Sequence, residues 1–344
     1  MIRRYVILGS AAAAAVLASC SGGGNSSSTP TPTPTGSATP TPSPTPTYTA
    51  FPLAAAANFN MLNATTNYTG DPATSAVTLG LTSTENINAR VNIAATADLT
   101  NGTFVIDEGS EESRFTSTNV TTQAAPTVTE FVYRSVNTAT GALAGNFSQL
   151  EVLNNIGNRP STTAGAPAAV ITSDSLLSQL TVVSYANWWR GDSTTGQKRL
   201  TYAVWGYPTL SYDMPVTGSK TYTARIVGRA VSAANGATTL NRVGGTAQVT
   251  VNFATGLVTT TLNMTTVPTS GAETPYLTLN AQGAIPIASM QFNGSFTSGS
   301  PVTGTIAGAF YGSQGANIGM VFGALGTING ADTRIVGEIV GIKQ

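Results

Sequence analysis

From Ser219 to the C-terminus, apolar and polar residues alternate with a period of two, the repeat of a strand buried on one face. Across Thr221 to Ala230, one face carries Tyr222, Ala224, Ile226 and Gly228; the other carries Thr221, Thr223, Arg225, Val227 and Arg229. The alternation recurs over Thr246 to Phe253, with Ala247, Val249, Val251 and Phe253 inward, then over Leu257 to Met264 and Val302 to Phe310. Further strands are expected at Pro275 to Leu279, Ile287 to Phe296, Ile318 to Leu325 and Arg334 to Ile342, with turns such as Asn293-Gly294 and Asn329-Gly330. About eight short strands in about 125 residues predict a closed antiparallel β-barrel filled by side chains. One face reads Thr, Asn, Gln and Arg, not a lipid-facing apolar band with aromatic girdles, so a soluble barrel is expected.

Upstream the pattern is irregular. Strand-like runs stand at Ala76 to Leu81, Thr103 to Asp107, Thr127 to Arg134 and Thr181 to Tyr185. A short helix is expected over Asp174 to Leu180, capped by Ser173. Turn signals such as Asn101-Gly102 and Thr140-Gly141 separate these runs. The expectation is an all-β chain with one minor helix: a mixed, mostly antiparallel subdomain over 51–215 and an eight-stranded barrel over 216–344.

The N-terminus follows neither pattern. Arg3 and Arg4 precede an apolar run from Val6 through Leu17, too short to span a bilayer stably, and the small residues Ala18 and Ser19 lead to Cys20. Leu17-Ala18-Ser19-Cys20 resembles the lipobox of bacterial lipoprotein signal peptides. That resemblance implies a signal over 1–19, removal of that segment, and acylation of Cys20, which becomes the first residue of a membrane-tethered chain. Ser21, rather than Asp, favours the outer membrane. Residues 20–50 hold the cysteine and a Gly/Ser then Thr-Pro linker with nothing to bury. At roughly 3.1 Å per residue, about 30 such residues reach on the order of 90 Å.

Composition then prunes the chemistry. Fifteen Lys and Arg balance fifteen Asp and Glu, and charged residues make up 9% of the chain, so no basic field exists to attract nucleic acid. Cys20 is the single cysteine, so a lipidated chain has no intrachain disulfide. There is no histidine, which removes Ser-His-Asp and Cys-His catalysis, imidazole zinc sites and proximal-His haem ligation. No cofactor or metal is expected. Paired carboxylates suffice for glycoside hydrolysis, but nothing in the sequence pairs them, and the expectation is a non-enzyme.

Gly308-Ala309-Phe310-Tyr311-Gly312, followed by Ala316, Ile318-Gly319 and Phe322, resembles the signature near the end of the barrel of transferrin-binding protein B. It is closer still to the transferrin-binding protein-like solute-binding lipoproteins of Gram-negative bacteria. Trp205-Gly206-Tyr207-Pro208, Asp213-Met214-Pro215, Gly218 and Tyr222 resemble the segment that enters that barrel, and Ser184-Tyr185 with Trp188 or Trp189 the strand before it. The match covers roughly residues 180–344. Ser313 and Asn317 stand where that family has Pro and acidic residues, and Met320 where it has a second Gly. The motif also has a purely structural reading: the glycines permit turns and close approach, and Phe310 and Tyr311 pack on opposite faces. The resemblance implies a handle subdomain before the barrel and display on the cell surface. There the chain would capture a host protein, haem or another nutrient for an outer-membrane receptor, after transfer by surface-export machinery. The alternative is a structural or adhesive surface lipoprotein without a small-molecule ligand.

All three tryptophans, with several tyrosines, fall at Tyr185, Trp188, Trp189, Trp205, Tyr207 and Tyr212. These form either a recognition surface or the core of the handle and its seam with the barrel. Period-two spacing sets Trp205 and Tyr207 opposite Tyr202 and Val204, so that at least one pair is open to solvent. Asp107-Glu108-Gly109-Ser110-Glu111-Glu112 lacks the spacing of a calcium loop and reads as a hairpin turn. Gly312-Ser313-Gln314-Gly315 opens no helix and lacks the Lys-Ser/Thr of a phosphate loop. Arg225 and Arg229 share a strand face and read as solvent-exposed.

Overall fold

The computed structural model describes residues 46–51, 53, 55–71, 77–95, 103–122, 125–136, 147–156, 171–191 and 196–344. The signal, Cys20, most of the linker and the turns at Asn101-Gly102 and Thr140-Gly141 lie outside them. In chain order the first strands are β1 (Ala57–Asn60), β2 (Leu62–Thr69), β3 (Thr78–Glu85), β4 (Val91–Ala95), β5 (Phe104–Glu108) and β6 (Glu111–Phe115). They are followed by β7 (Val120–Thr122), β8 (Glu130–Val136), β9 (Phe147–Leu153), β10 (Val183–Gly191) and β11 (Gln197–Gly206). These eleven build two sheets, of order β1-β4-β5-β6 and β3-β2-β11-β10-β9-β8-β7.

The remaining strands are β12 (Ser219–Ala234), β13 (Ala237–Asn252), β14 (Leu257–Val267), β15 (Thr274–Ala284), β16 (Gln291–Phe296), β17 (Val302–Tyr311), β18 (Asn317–Ile328) and β19 (Ala331–Lys343). They close in sequence order into one antiparallel barrel, β19 pairing back onto β12. Alternation selects the inside as expected: Tyr222, Ala224, Ile226, Ala247, Val249 and Val251 join Phe292, Phe310, Met320 and Phe322 in a filled core. Gly308 is required there, because a Cβ would stand 2.1 Å from the Phe292 ring.

The chain is layered. Val91, Ile93, Phe104, Ile106 and Phe115 of the small sheet pack on Phe131, Tyr133, Leu150, Val152, Trp188 and Trp205 of the large one. The opposite face of the large sheet carries Leu62, Ala64, Tyr185 and Val204, and it packs on Ala307, Ala309, Tyr311, Val321 and Val340 from the outside of the barrel. The exterior is therefore not uniformly polar. Residues such as Gln248, Asn263, Asn280 and Asn293 are exposed on β13–β16, whereas β17–β19 carry a covered apolar patch outward, made of Ala307, Ala309, Tyr311, Val321 and Val340. Gly319, outward on β18, permits the approach, since a Cβ would meet Val204 Cγ1 at 2.4 Å. As the motif suggests, Phe310 faces the barrel core and Tyr311 the covered exterior.

Three local expectations are corrected. Asn293-Gly294 is not a turn but lies inside β16, paired with β15 and β17. The helix expected over Asp174 to Leu180 is one 3-10 turn, Leu177–Gln179. Its start is held by the Asp174 carboxylate, which accepts from the backbone N–H groups of Leu176 and Leu177 at 2.9 Å each, rather than by Ser173. Arg229 is not exposed: it lies beneath the large sheet, 6% exposed. The acidic run forms the turn of the β5–β6 hairpin, with Glu108 opposite Glu111.

Candidate functional site

The six candidate aromatics separate into different environments. Tyr185, Trp188 and Trp205 are sealed inside. The Tyr185 hydroxyl donates to Glu130 Oε1 at 3.1 Å, between the large sheet and the barrel. Trp188 faces the small sheet; its indole N–H donates to Ser148 Oγ at 2.8 Å, and the Arg190 guanidinium lies 3.5 Å over its ring. Trp189, on the opposite face, is half-buried edge-on to Phe147 at 5.0 Å. Trp205 and the half-buried Tyr207 are brought together through Phe51 and Phe59, with ring centroids 4.7–5.6 Å apart. Neither pair on β11 opens to solvent as the alternation suggested. Tyr202 and Val204 lie under the barrel, Trp205 under the small sheet, and Tyr207 is partly covered by phenylalanines. Both faces of this strand are covered because its sheet is the middle layer. Tyr212 alone is open, at 74% exposure.

Tyr212 sits on the 3-10 turn Ser211–Asp213, in the segment joining β11 to β12. This segment is bound along the end of β17: Thr209 N–H donates to Phe310 O at 2.8 Å, Thr209 Oγ1 to Gly312 O at 2.6 Å, and Gly312 N–H to Tyr207 O at 3.0 Å. The turns after β13, β15 and β17 lie at this same end of an up-and-down barrel. Of six exposed large apolar side chains among the described residues, five gather here: Leu210, Tyr212, Val216, Leu257 and Ile287. A depression of about 270 Å³ lies between Val216 and Ile287, lined also by Met214, Pro215, Phe253 and Ile285. Scattered exposed apolar residues are ordinary, but their concentration on the loops of one barrel end makes that end the candidate interaction surface. Sequence periodicity does not find it, because Leu210, Tyr212, Val216 and Ile287 lie outside the strands and Leu257 is the first residue of β14.

The Asp213 carboxylate of this surface is held by hydrogen bonds. Asp213 Oδ2 accepts from the Tyr48 hydroxyl at 2.9 Å, from Gln314 N–H at 2.9 Å and from Ser313 Oγ at 3.2 Å. Burial, together with the Asp213 carboxylate, raises the Tyr48 pKa above its ordinary value, against the bond from Leu210 N–H. Among the described residues, no group of three or more Asp, Glu, His or Cys is placed to hold a metal.

Charge is concentrated instead in the seam between the large sheet and the barrel. Glu130, Glu151 and Glu338 meet Arg229 and Arg242 there; Arg229 Nη2 donates to Glu151 Oε1 at 2.6 Å, and Arg242 pairs with Glu130. These groups are structural: they join the two halves of the chain and do not face the exposed end.

A family model for the C-lobe and N-lobe beta barrels of Tf-binding protein B matches residues 214–339, which span nearly the whole barrel. The barrel is of the transferrin-binding protein B type. A transferrin-binding protein B-like barrel thus stands at the C-terminal end of the chain. No curated protein matches the chain. Similar solved structures include a transferrin-binding protein B variant from Haemophilus parasuis Hp5, at 11% identity over 87% of this chain and 78% of that one, with a TM-score of 0.37. The apo haemoglobin receptor HpuA from Kingella denitrificans is 13% identical over 88% of this chain and 94% of that one, with a TM-score of 0.38. Transferrin-binding protein B from serogroup B Neisseria meningitidis is 15% identical over 76% of this chain and 59% of that one, with a TM-score of 0.33.

Proposed function

We propose that this chain is a lipid-anchored surface protein of the outer membrane that binds a protein or solute ligand and passes it to an outer-membrane receptor, in support of iron or haem uptake. The match of residues 214–339 to the barrels of a Tf-binding protein carries the reading. Three further features support it. The N-terminal Leu17-Ala18-Ser19-Cys20 supplies an anchor, the Thr-Pro linker supplies reach, and the chain has no histidine for the commonest acid–base chemistry. The barrel is filled by Tyr222, Phe292, Phe310, Met320 and Phe322, so a ligand meets its surface and not its lumen. The apolar end bearing Leu210, Tyr212, Val216, Leu257 and Ile287 is the face offered to it, and it suits a protein better than an ion.

The test is a binding isotherm of the purified mature lipoprotein in detergent against transferrin and haemoglobin, beside radiolabelled palmitate incorporation into wild type and Cys20→Ser. Saturable binding to either protein and label lost in Cys20→Ser support the reading. Binding only to envelope polymer, or label retained without Cys20, overturns it.

A further inference from the structure

The segment that presents Tyr212 has little of its own to hold it. Pro208 and Pro215 flank it and contribute no N–H. Its turn is closed by Asp213 N–H to Leu210 O at 2.9 Å and by a longer bond from Met214 N–H to Ser211 O at 3.4 Å. Leu210, at the start of the turn, has no side-chain cap. The missing partner comes from 162 residues upstream: Leu210 N–H donates to the Tyr48 hydroxyl at 2.9 Å. The same hydroxyl donates to Asp213 Oδ2 at 2.9 Å, so one phenol closes both ends of the turn. Asp213 Oδ2 then reaches the β17–β18 loop through Gln314 N–H and Ser313 Oγ, at a point where Gln314 adopts the left-handed φ of +49°. Tyr48 is itself fixed three residues later, where Phe51 N–H donates to Thr181 O at 2.7 Å and the Phe51 ring packs on Trp205 at 5.4 Å.

We propose that the end of the tether is a built part of the barrel-end surface, with Tyr48 and Asp213 as positioning residues that hold the Tyr212 turn and the β17–β18 loop in their presented form. The inference rests on the reading of this end as the binding face. It assigns a role to a residue of the linker's own end: the chain that leads to the anchor also shapes the surface that meets the ligand. Loss of the phenol hydroxyl takes the partner from Leu210 N–H and removes one of three donors from Asp213.

The experiment is residue-resolved hydrogen exchange on the full mature chain, comparing wild type with Tyr48→Phe, Asp213→Ala and Asp213→Asn. Tyr48→Phe is expected to lower protection of the Leu210 and Gln314 amides by roughly fivefold or more, with the Val249 amide inside the barrel unchanged. Asp213→Ala should reproduce the loss, and Asp213→Asn, which keeps an acceptor oxygen, should restore most of the Gln314 protection. Unchanged Leu210 and Gln314 protection in Tyr48→Phe, or a parallel loss at Val249, overturns the proposal. Tyr212→Ser separates it from the functional reading, because it keeps the clasp. Wild-type exchange in Tyr212→Ser with unchanged capture of transferrin or haemoglobin would sink the binding face while leaving the positioning role in place.

Discussion

Arg229 of the barrel and Glu151 of the large sheet form a buried two-point ion pair: Nη2 donates to Oε1 at 2.6 Å and Nη1 to Oε2 at 3.2 Å. Nη1 also donates to the Tyr202 hydroxyl at 2.8 Å. Both side chains are nearly free of solvent contact, so the pair fixes how the sheet sits on β12 more than it adds net stability. Removing one partner strands the other charge. Arg229→Ala is therefore expected to destabilise the chain by about 3–5 kcal/mol, while Arg229→Met with Glu151→Leu recovers most of that loss. Chemical denaturation of the three proteins measures this directly.

A third carboxyl in the seam gives a pH dependence. Glu338 is fully buried, and the Asn187 side-chain amide lies 2.7 Å from its Oε1. Burial foremost, then the neighbouring Glu130 charge, holds the Glu338 pKa well above the ordinary 4.5; Glu151 adds to this and Arg229 opposes it. Glu338 thus stays protonated in the folded chain at pH values where the unfolded chain has released that proton. Its contribution falls as pH rises from about 4.5 towards the folded-state value. Glu130, raised by burial against Arg242, acts in the same direction. Glu151, lowered on balance by Arg229 and Arg242, has the opposite sign and gives up its contribution only in acid. Tyr185 and Tyr202, which face the same seam, are pushed upward by burial and stay neutral. The melting temperature should fall as pH rises above about 5, and Glu338→Gln should flatten that fall. A wild-type slope retained in Glu338→Gln would contradict the assignment.

Gly319 sets the distance between the sheet and the barrel. A Cβ there meets Val204 Cγ1 at 2.4 Å and the Tyr311 ring at 2.8 Å. Gly319→Ala should cost about 1–3 kcal/mol by forcing the layers apart. Urea denaturation reads the loss, and a cost below about 0.5 kcal/mol would show that the seam gives way easily.

The barrel end should behave in the opposite way. Ile287 is fully exposed and Tyr212 nearly so, and neither supports the core. Ile287→Ser and Tyr212→Ser should leave stability within about 0.5 kcal/mol of wild type by thermal denaturation.

Period-two alternation made the barrel legible, because strands such as Ser219–Ala234 have one face inside whatever covers the other. The layering above it was less accessible. Asn317–Ile328 has apolar residues on both faces, with Met320 inward and Val321 outward, and the later part of Ala331–Lys343 sets Ile339 inward and Val336 and Val340 outward. That pattern signals a strand covered on both sides, and it would have foretold the sheet lying over β18 and β19. Arg229 gave no comparable signal: a charged residue on an outward face looks solvated until a partner such as Glu151, 78 residues away in sequence, is placed over it. The aromatic cluster was visible as composition, but the middle-layer position of β10 and β11 buries Tyr185, Trp188 and Trp205 and leaves Tyr212 as the exposed member. Leu210 and Val216 lie in connections, where periodicity is silent, and Ile287, expected to open a strand, stands in the turn before β16; only closure of the barrel brings them to one end.

The most direct test compares the full chain as it is produced with its Tyr212→Ser, Ile287→Ser double variant as baits in spent growth medium, host serum and haemolysate, with bound partners identified by mass spectrometry and counted per bait. The account predicts one stoichiometric partner on wild type that is lost on the double variant, both baits having the same melting temperature. Equal capture by the two baits, or a wild-type bait that holds only itself and envelope polymer, would contradict it.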